Sequence, residues 1–166
     1  HSTLTNGVDG LYGNTVTDCS AISLGVGIAA SQTAANCYGK GTNGVGISAI
    51  AVLNSYGISS LRAGISATEI SSSYGFSSGA AGIDGKTVAT SYGKGATKPG
   101  ITATAVSNCH GESVDDCGIT CTTAENSFGS STNSTGLSAA TATNCYGYSY
   151  NGWGLYATEA TTCHGK

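Results

Sequence analysis

Gly46-Ile47-Ser48-Ala49-Ile50-Ala51-Val52-Leu53-Asn54-Ser55-Tyr56-Gly57 is answered eighteen residues on by Gly64-Ile65-Ser66-Ala67-Thr68-Glu69-Ile70-Ser71-Ser72-Ser73-Tyr74-Gly75. The same step carries the ring position along the chain through Tyr38, Tyr56, Tyr74, Tyr92, His110, Phe128, Tyr146 and His164, with Ser20 in the first slot. A constant period of this length means that one short supersecondary unit is stacked on itself, so the expected fold is a solenoid.

Within the unit, a branched aliphatic lies nine places before the ring: Ile47, Ile65, Ile83, Ile101, Ile119, Leu137 and Leu155, each preceded by glycine. Two places later comes a small residue such as Ala49, Ala67 or Cys121, and this alternation is that of a strand with one face inward. Further inward columns are expected four before the ring (Val52, Ile70, Val88, Val106, Ala124, Ala142, Ala160) and immediately before it, where Cys and Ser interchange. Glycine follows the ring in nearly every unit, which predicts a corner with positive φ or close backbone approach. Asn36, Asn54, Asn108, Asn126 and Asn144 stand two before the ring, where simple turn propensity and hydrogen bonding along a column are both readings. Ile28 lies ten before Tyr38 instead of nine, which predicts a one-residue bulge between Ala29 and Ala35. The whole chain, 1–166, reads as one all-β domain, a parallel β-helix of about nine coils without recognisable caps. At one strand spacing per coil it makes a rod about 40 Å long.

Composition narrows the function. Of 166 residues, 26 are Gly and only 9% are charged, yet the strict register argues for a narrow packed core and against disorder. A net charge of −3 with six Lys and Arg gives no basic stripe, so nucleic acid is not an expected partner. No apolar run is long enough for a membrane span. The chain opens on His1 without a leader pattern, which reads as a processed or excised product, and its Thr/Ser/Asn/Gly/Tyr-rich makeup suits secretion.

Segments such as Thr15-Val16-Thr17-Asp18-Cys19-Ser20-Ala21 and Ala142-Thr143-Asn144-Cys145-Tyr146-Gly147, each followed about ten residues on by Gly-Ile or Gly-Leu, resemble repeats of secreted right-handed parallel β-helix proteins. Those belong to the pectin-lyase-like superfamily and to large bacterial surface proteins. The resemblance implies a right-handed coil and a secreted or cell-surface location, and it is a likeness of repeat style that carries no activity. Left-handed hexapeptide solenoids want an aliphatic every six residues, and the slots three before the ring, Leu53, Ser71, Ala89, Ser107, Glu125, Thr143 and Thr161, do not supply it.

No enzyme is expected. The acidic group Glu112, Asp115, Asp116 reads as a solvated turn, Arg62 is the sole arginine, and no nucleophile triad, phosphate loop or nucleotide fingerprint is present. Seven cysteines cannot all pair; five stand in the slot before the ring and read as buried small hydrophobes, with disulfides between adjacent coils as the alternative. Cys117 and Cys121, near Cys109 and His110, lack zinc spacing, so no cofactor or metal is expected. An outward column, Ile50, Thr68, Lys86, Thr104, Thr122, Ala140, Thr158, raises ice binding as a third reading, and Lys86 with Asp84 interrupts it.

Two features remain. If the Cys/Ser slot faces inward, the rings form an outward ladder suited to contact, with a corner of the core as the competing location. The ends show no capping segment, and Tyr146, Tyr148, Tyr150, Trp153 and Tyr156 concentrate in the last full turn. The expectation is therefore a structural extracellular or surface solenoid whose partner is itself, head to tail. Its interface would comprise His1, Leu4, Leu11, Tyr12, Tyr146, Tyr148, Tyr150, Trp153, Tyr156 and His164. The alternative is an adhesin or tail-fibre-like module that binds a polysaccharide through the ladder.

Overall fold

A computed structural model describes residues 10–166. Each coil consists of a long strand, such as Ile47–Leu53 or Ile65–Ser71, and a short strand, such as Tyr56–Ser59 or Tyr74–Ser77. All pairing is parallel, and the strands build two sheets stacked as a β-solenoid of about nine turns, with no helix among the described residues. Nine short strands follow one another in chain order through one sheet. Like lies over like: Ile65 pairs with Ile83 in one sheet and Tyr74 with Tyr92 in the other.

The spacing of the inward columns shapes each long strand. Ile47 and Ala49 face the interior two apart, Val52 is the next inward residue, and Ile50 and Ala51 between them are exposed and half-buried. Two successive outward residues reverse the parity, so the strand must bend there. Register records the bend: Ala49 pairs with Ala67 and Ala51 with Glu69, while the position between them is skipped. One coil breaks into Ile101–Thr102 and Ala105–Ser107 at this point, and the Thr104 carbonyl accepts from the amides of both Thr122 and Thr123. The aliphatic column is the driest part of the molecule, with Ile28, Ile47, Ile65, Ile83, Ile101, Ile119 and Leu137 all at 0% exposure.

The second corner sits two before the ring. Asp18, Asn36, Asn54, Ser72, Thr90, Asn108, Asn126, Asn144 and Thr162 all take positive φ, between 46° and 54°. That left-handed conformation is the one Asn and Asp tolerate best among non-glycines, which explains the Asn column more fully than turn propensity does. No described glycine has positive φ, so of the two roles expected for the corner glycines it is close backbone approach that the structure shows. They are small because backbones touch. A Cβ on Gly57 would lie 2.3 Å from the Gly64 carbonyl oxygen, and one on Gly46 would lie 2.5 Å from the Ile58 nitrogen. The two glycine columns thus let the short strand pass directly across the start of the long one.

Two serine columns brace the corners from inside. In the slot before the ring, the Ser55 hydroxyl donates to the Leu53 carbonyl at 2.7 Å and accepts from the Cys37 amide at 3.1 Å, one coil back. Three after the ring, the Ser59 hydroxyl donates to the Gly44 carbonyl at 2.7 Å and accepts from the Arg62 amide at 2.9 Å. The Leu53 carbonyl also accepts from the Asn36 amide, so the first column chiefly supplies an acceptor to the Cys37 amide. The second serves a carbonyl and an amide at a turn where the ladder is interrupted. The anticipated bulge is present as well: Ile28 pairs with Ile47, Thr33 pairs with Ala51, and the register shifts between Ala29 and Thr33. Ile28–Ala35 accordingly has eight residues where Ile47–Leu53 has seven.

Candidate functional site

The Cys/Ser slot faces inward and is buried at Cys37, Ser55, Ser73, Ser91, Cys109, Ser127 and Cys145. Alternation then turns the next residue out, and the rings stand on the outer face of the short-strand sheet. Tyr38, Tyr74, Tyr92, His110, Phe128 and Tyr146 are half-buried, while Tyr56 and His164 are exposed. Ring centroids follow one another at 5.6 Å (Tyr38–Tyr56), 4.5 Å (Tyr56–Tyr74) and 5.1 Å (Tyr74–Tyr92). Planes there differ by 14° or less, so each ring covers its neighbour's face. His110 is turned on edge, at 76° to Tyr92 and 75° to Phe128, and stacking resumes through Tyr146 to His164.

A trough of about 1520 Å³ runs beside the ladder, floored by the left-handed corner and the Cys/Ser slot and walled by the rings. Its lining is almost uncharged, with Asp18 the one carboxylate and His110 and His164 the two imidazoles. Corner amides pair along it in places, Asn144 to Asn126 at 2.7 Å and Asn36 to Asp18 at 3.1 Å. A parallel amide ladder on the far turn joins Asn151 to Asn133 and Asn133 to Asp115.

Beside the turned ring lies the main concentration of charge. Glu112 Oε2 is 3.3 Å from Lys94 Nζ, and Glu112 Oε1 is 3.4 Å from His110 Nε2. The imidazole is not aligned for a hydrogen bond, so Nε2 is buried without one among the described residues. Burial lowers the His110 pKa below its ordinary value, against the opposing pull of Glu112. Burial alone would raise Glu112, but the Tyr92 hydroxyl and Lys94, with the charges of Lys94 and His110, hold it below the usual carboxylate range. Tyr92 is pushed up, by burial first and by Glu112 second.

The acidic group does not converge. Glu112 belongs to the Lys94 pair, Asp115 accepts from Asn133, and Asp116 accepts from the Cys117 amide at 2.7 Å. Cys117 and Cys121 part company too: Cys117 lies in the turn near Ser134, whereas Cys121 takes the inward small-residue slot and packs against the core. Burial, then Cys145 and Cys109, pushes the Cys121 thiol up to about 12. No group of three His, Cys, Asp or Glu among the described residues could hold a metal ion. The cysteines before the ring are not merely hydrophobic, since Cys37 and Cys109 thiols donate to the carbonyls of Ala35 and Ser107 at 3.1 Å in the manner of the serines they replace.

Of the anticipated contact residues, His1 and Leu4 lie outside the described residues. Leu11 and Tyr12 open the first described long strand, Tyr12 being 80% exposed. Tyr150, Trp153 and Tyr156 are exposed at 76%, 64% and 53%, and Trp153 stacks on Tyr156 with centroids 5.1 Å apart. Tyr148 projects from the short strand Tyr146–Ser149. The outward Thr column is interrupted by exposed Lys86 and flanked by exposed Asp84.

Two features were missed from sequence. The serine column three after the ring was visible as Ser59, Ser77, Ser113, Ser131 and Ser149 recurring at the coil period. The outward column two after the ring, which brings Lys94 to Glu112, was visible in the same way. No known family model, curated protein or solved structure matches this chain.

Proposed function

We propose that this chain is a structural solenoid of the extracellular space or cell surface, of secreted pectin-lyase-like repeat style, that assembles end to end into a fibre or forms part of a long stalk. One column carries the reading. Tyr12 stacks in register over Ala29, Ser48, Ser66, Asp84, Thr102, Thr120 and Ser138 to Tyr156, so aromatics occupy that outward column only in the first and last described coils. A copy placed with its first coil on another's last would continue both sheets by the pairing rule used inside the chain. Tyr12 would then meet Tyr156, whose stack with Trp153 widens the platform. Aromatic pairs of this kind add about 0.5–1.5 kcal/mol beyond burial, and the exposed strand edge adds main-chain pairing. A head-to-tail contact does not close on itself, so it produces fibres.

Negative-stain electron microscopy of the purified chain tests this directly. Rods much longer than the single solenoid are expected, shortened in Tyr12→Ala and Tyr156→Ala; discrete short rods at high concentration would overturn self-assembly.

The trough favours a second reading, an adhesin-like module for a neutral polysaccharide, because its lining is almost uncharged and sets apolar ring surface beside corner amides and hydroxyls. The ring faces within the ladder are taken up by one another, so a sugar chain would meet ring edges, hydroxyls and corner amides instead. Binding on a glycan array that is lost in Tyr56→Ala and Tyr74→Ala would support this reading over the first.

A further inference from the structure

We propose that Cys145 and Cys163, and likewise Cys19 and Cys37, are disulfide-forming pairs that lock the coils at the two ends of the described solenoid. Each pair occupies the same inward slot one coil apart, next to strands in register: Ser20 pairs with Tyr38, and Tyr146 with His164. Main-chain bonds hold the coils together at the slot itself, Tyr38 amide to Cys19 carbonyl and His164 amide to Cys145 carbonyl, both at 2.9 Å. The strand spacing of about 4.8 Å falls inside the Cα separation a disulfide spans. Cys163 Sγ already lies 3.4 Å from the Cys145 amide. All four thiols point the same way, each to the carbonyl two residues before it, at 3.0 to 3.2 Å. Rotation of one Cα–Cβ bond swings a sulfur from that carbonyl toward its partner. No other stacked pair exists in this slot, because Cys109 lies between Ser91 and Ser127.

Exposure sets the order of events. Cys19 and Cys163 are half-buried, whereas Cys37 and Cys145 are buried and burial raises their pKa. The accessible thiol therefore attacks first. With glutathione disulfide as oxidant, the Cys163 thiolate displaces one glutathione thiolate and forms a mixed disulfide. Cys145, giving up its proton to solvent, then attacks the Cys163 sulfur and expels the second glutathione. Two protein thiols are oxidised and one glutathione disulfide is reduced to two thiols. The closed loop spans eighteen residues in each case, by subtraction of 145 from 163 and 19 from 37.

The test is incubation of the folded, reduced chain with glutathione disulfide, followed by non-reducing proteolysis and mass spectrometry. Peptides linked through Cys145–Cys163 and through Cys19–Cys37 are expected, each two hydrogens lighter than the thiols, with Cys109 still free for alkylation after unfolding. The oxidised chain, with both links closed, should melt higher by on the order of 10 °C, reversed by reductant. Cys163→Ser, which installs the residue other coils carry in this slot, should abolish only its own link. Glutathione adducts that go no further, or a link from Cys145 to Cys121, would overturn the Cys145–Cys163 assignment; a Cys19 or Cys37 left unlinked would overturn the other.

Discussion

Replacing Ser59 with alanine removes one oxygen from a site with 0% exposure and strips two main-chain groups of their partner. The Gly44 carbonyl loses a donor at 2.7 Å, and the Arg62 amide loses an acceptor at 2.9 Å. A buried group left unpaired costs about 1–3 kcal/mol. Gly44 is half-buried and Arg62 exposed, so water reaches part of the gap and each loss belongs near the lower end. The sum is about 2–3 kcal/mol, or a fall in Tm of about 5–10 °C for a chain of this size. Far-UV circular dichroism melts of Ser59→Ala against Ser130→Ala, an outward position on the short strand four coils further on, measure it. Equal melting temperatures for the two variants would refute the claim that inward serines brace the turns.

Other substitutions test other slots. Gly75→Ala would place a Cβ 2.2 Å from the Gly82 carbonyl oxygen and should destabilise by about 3 kcal/mol or prevent folding, seen in the same melts. Thr90→Asn should stabilise by about 0.5–1 kcal/mol, because a β-branched residue at φ 50° gives way to one that tolerates the left-handed region. The pH dependence has a defined sign. Burial holds folded His110 below its unfolded value, so the unfolded chain takes the proton first and stability declines as pH falls through the ordinary histidine range near 6.5. Glu112, also depressed when folded, adds a loss at lower pH as it protonates. Urea titrations of His110→Tyr should show the histidine part of the decline removed and the carboxylate part retained.

The fold was legible because a solenoid repeats its physics. Each inward slot is sampled in successive coils, so Ile47 through Leu155 identify a core column without any one residue being decisive. The bulge at Ile28–Ala35 was legible for the same reason, as a local departure from a fixed step. Backbone conformation was less readable. Glycine and asparagine both serve tight turns, and here asparagine took the left-handed corner while glycine served close approach. The ladder's outward position followed from Cys and Ser being inward, but its ring-on-ring stacking did not, since that depends on side-chain rotamers. Cys121 was read two ways, in the inward small-residue slot by register and beside Cys117 by nearness in sequence, and the coil follows the register, carrying Cys121 to the core and leaving Cys117 in a turn. The Tyr12–Tyr156 column was hidden by distance along the chain, as only the register of the intervening strands aligns them.

Everything rests on coils stacked at one fixed register, and methyl-to-methyl nuclear Overhauser effects in an isoleucine-labelled sample measure that register directly. Ile47, Ile65, Ile83 and Ile101 should each show contacts to the isoleucines one coil before and after, and Ile119 to Ile101, in a single unbroken chain. Contacts that skip a coil, or an Ile65 methyl that sees neither Ile47 nor Ile83, would contradict the solenoid.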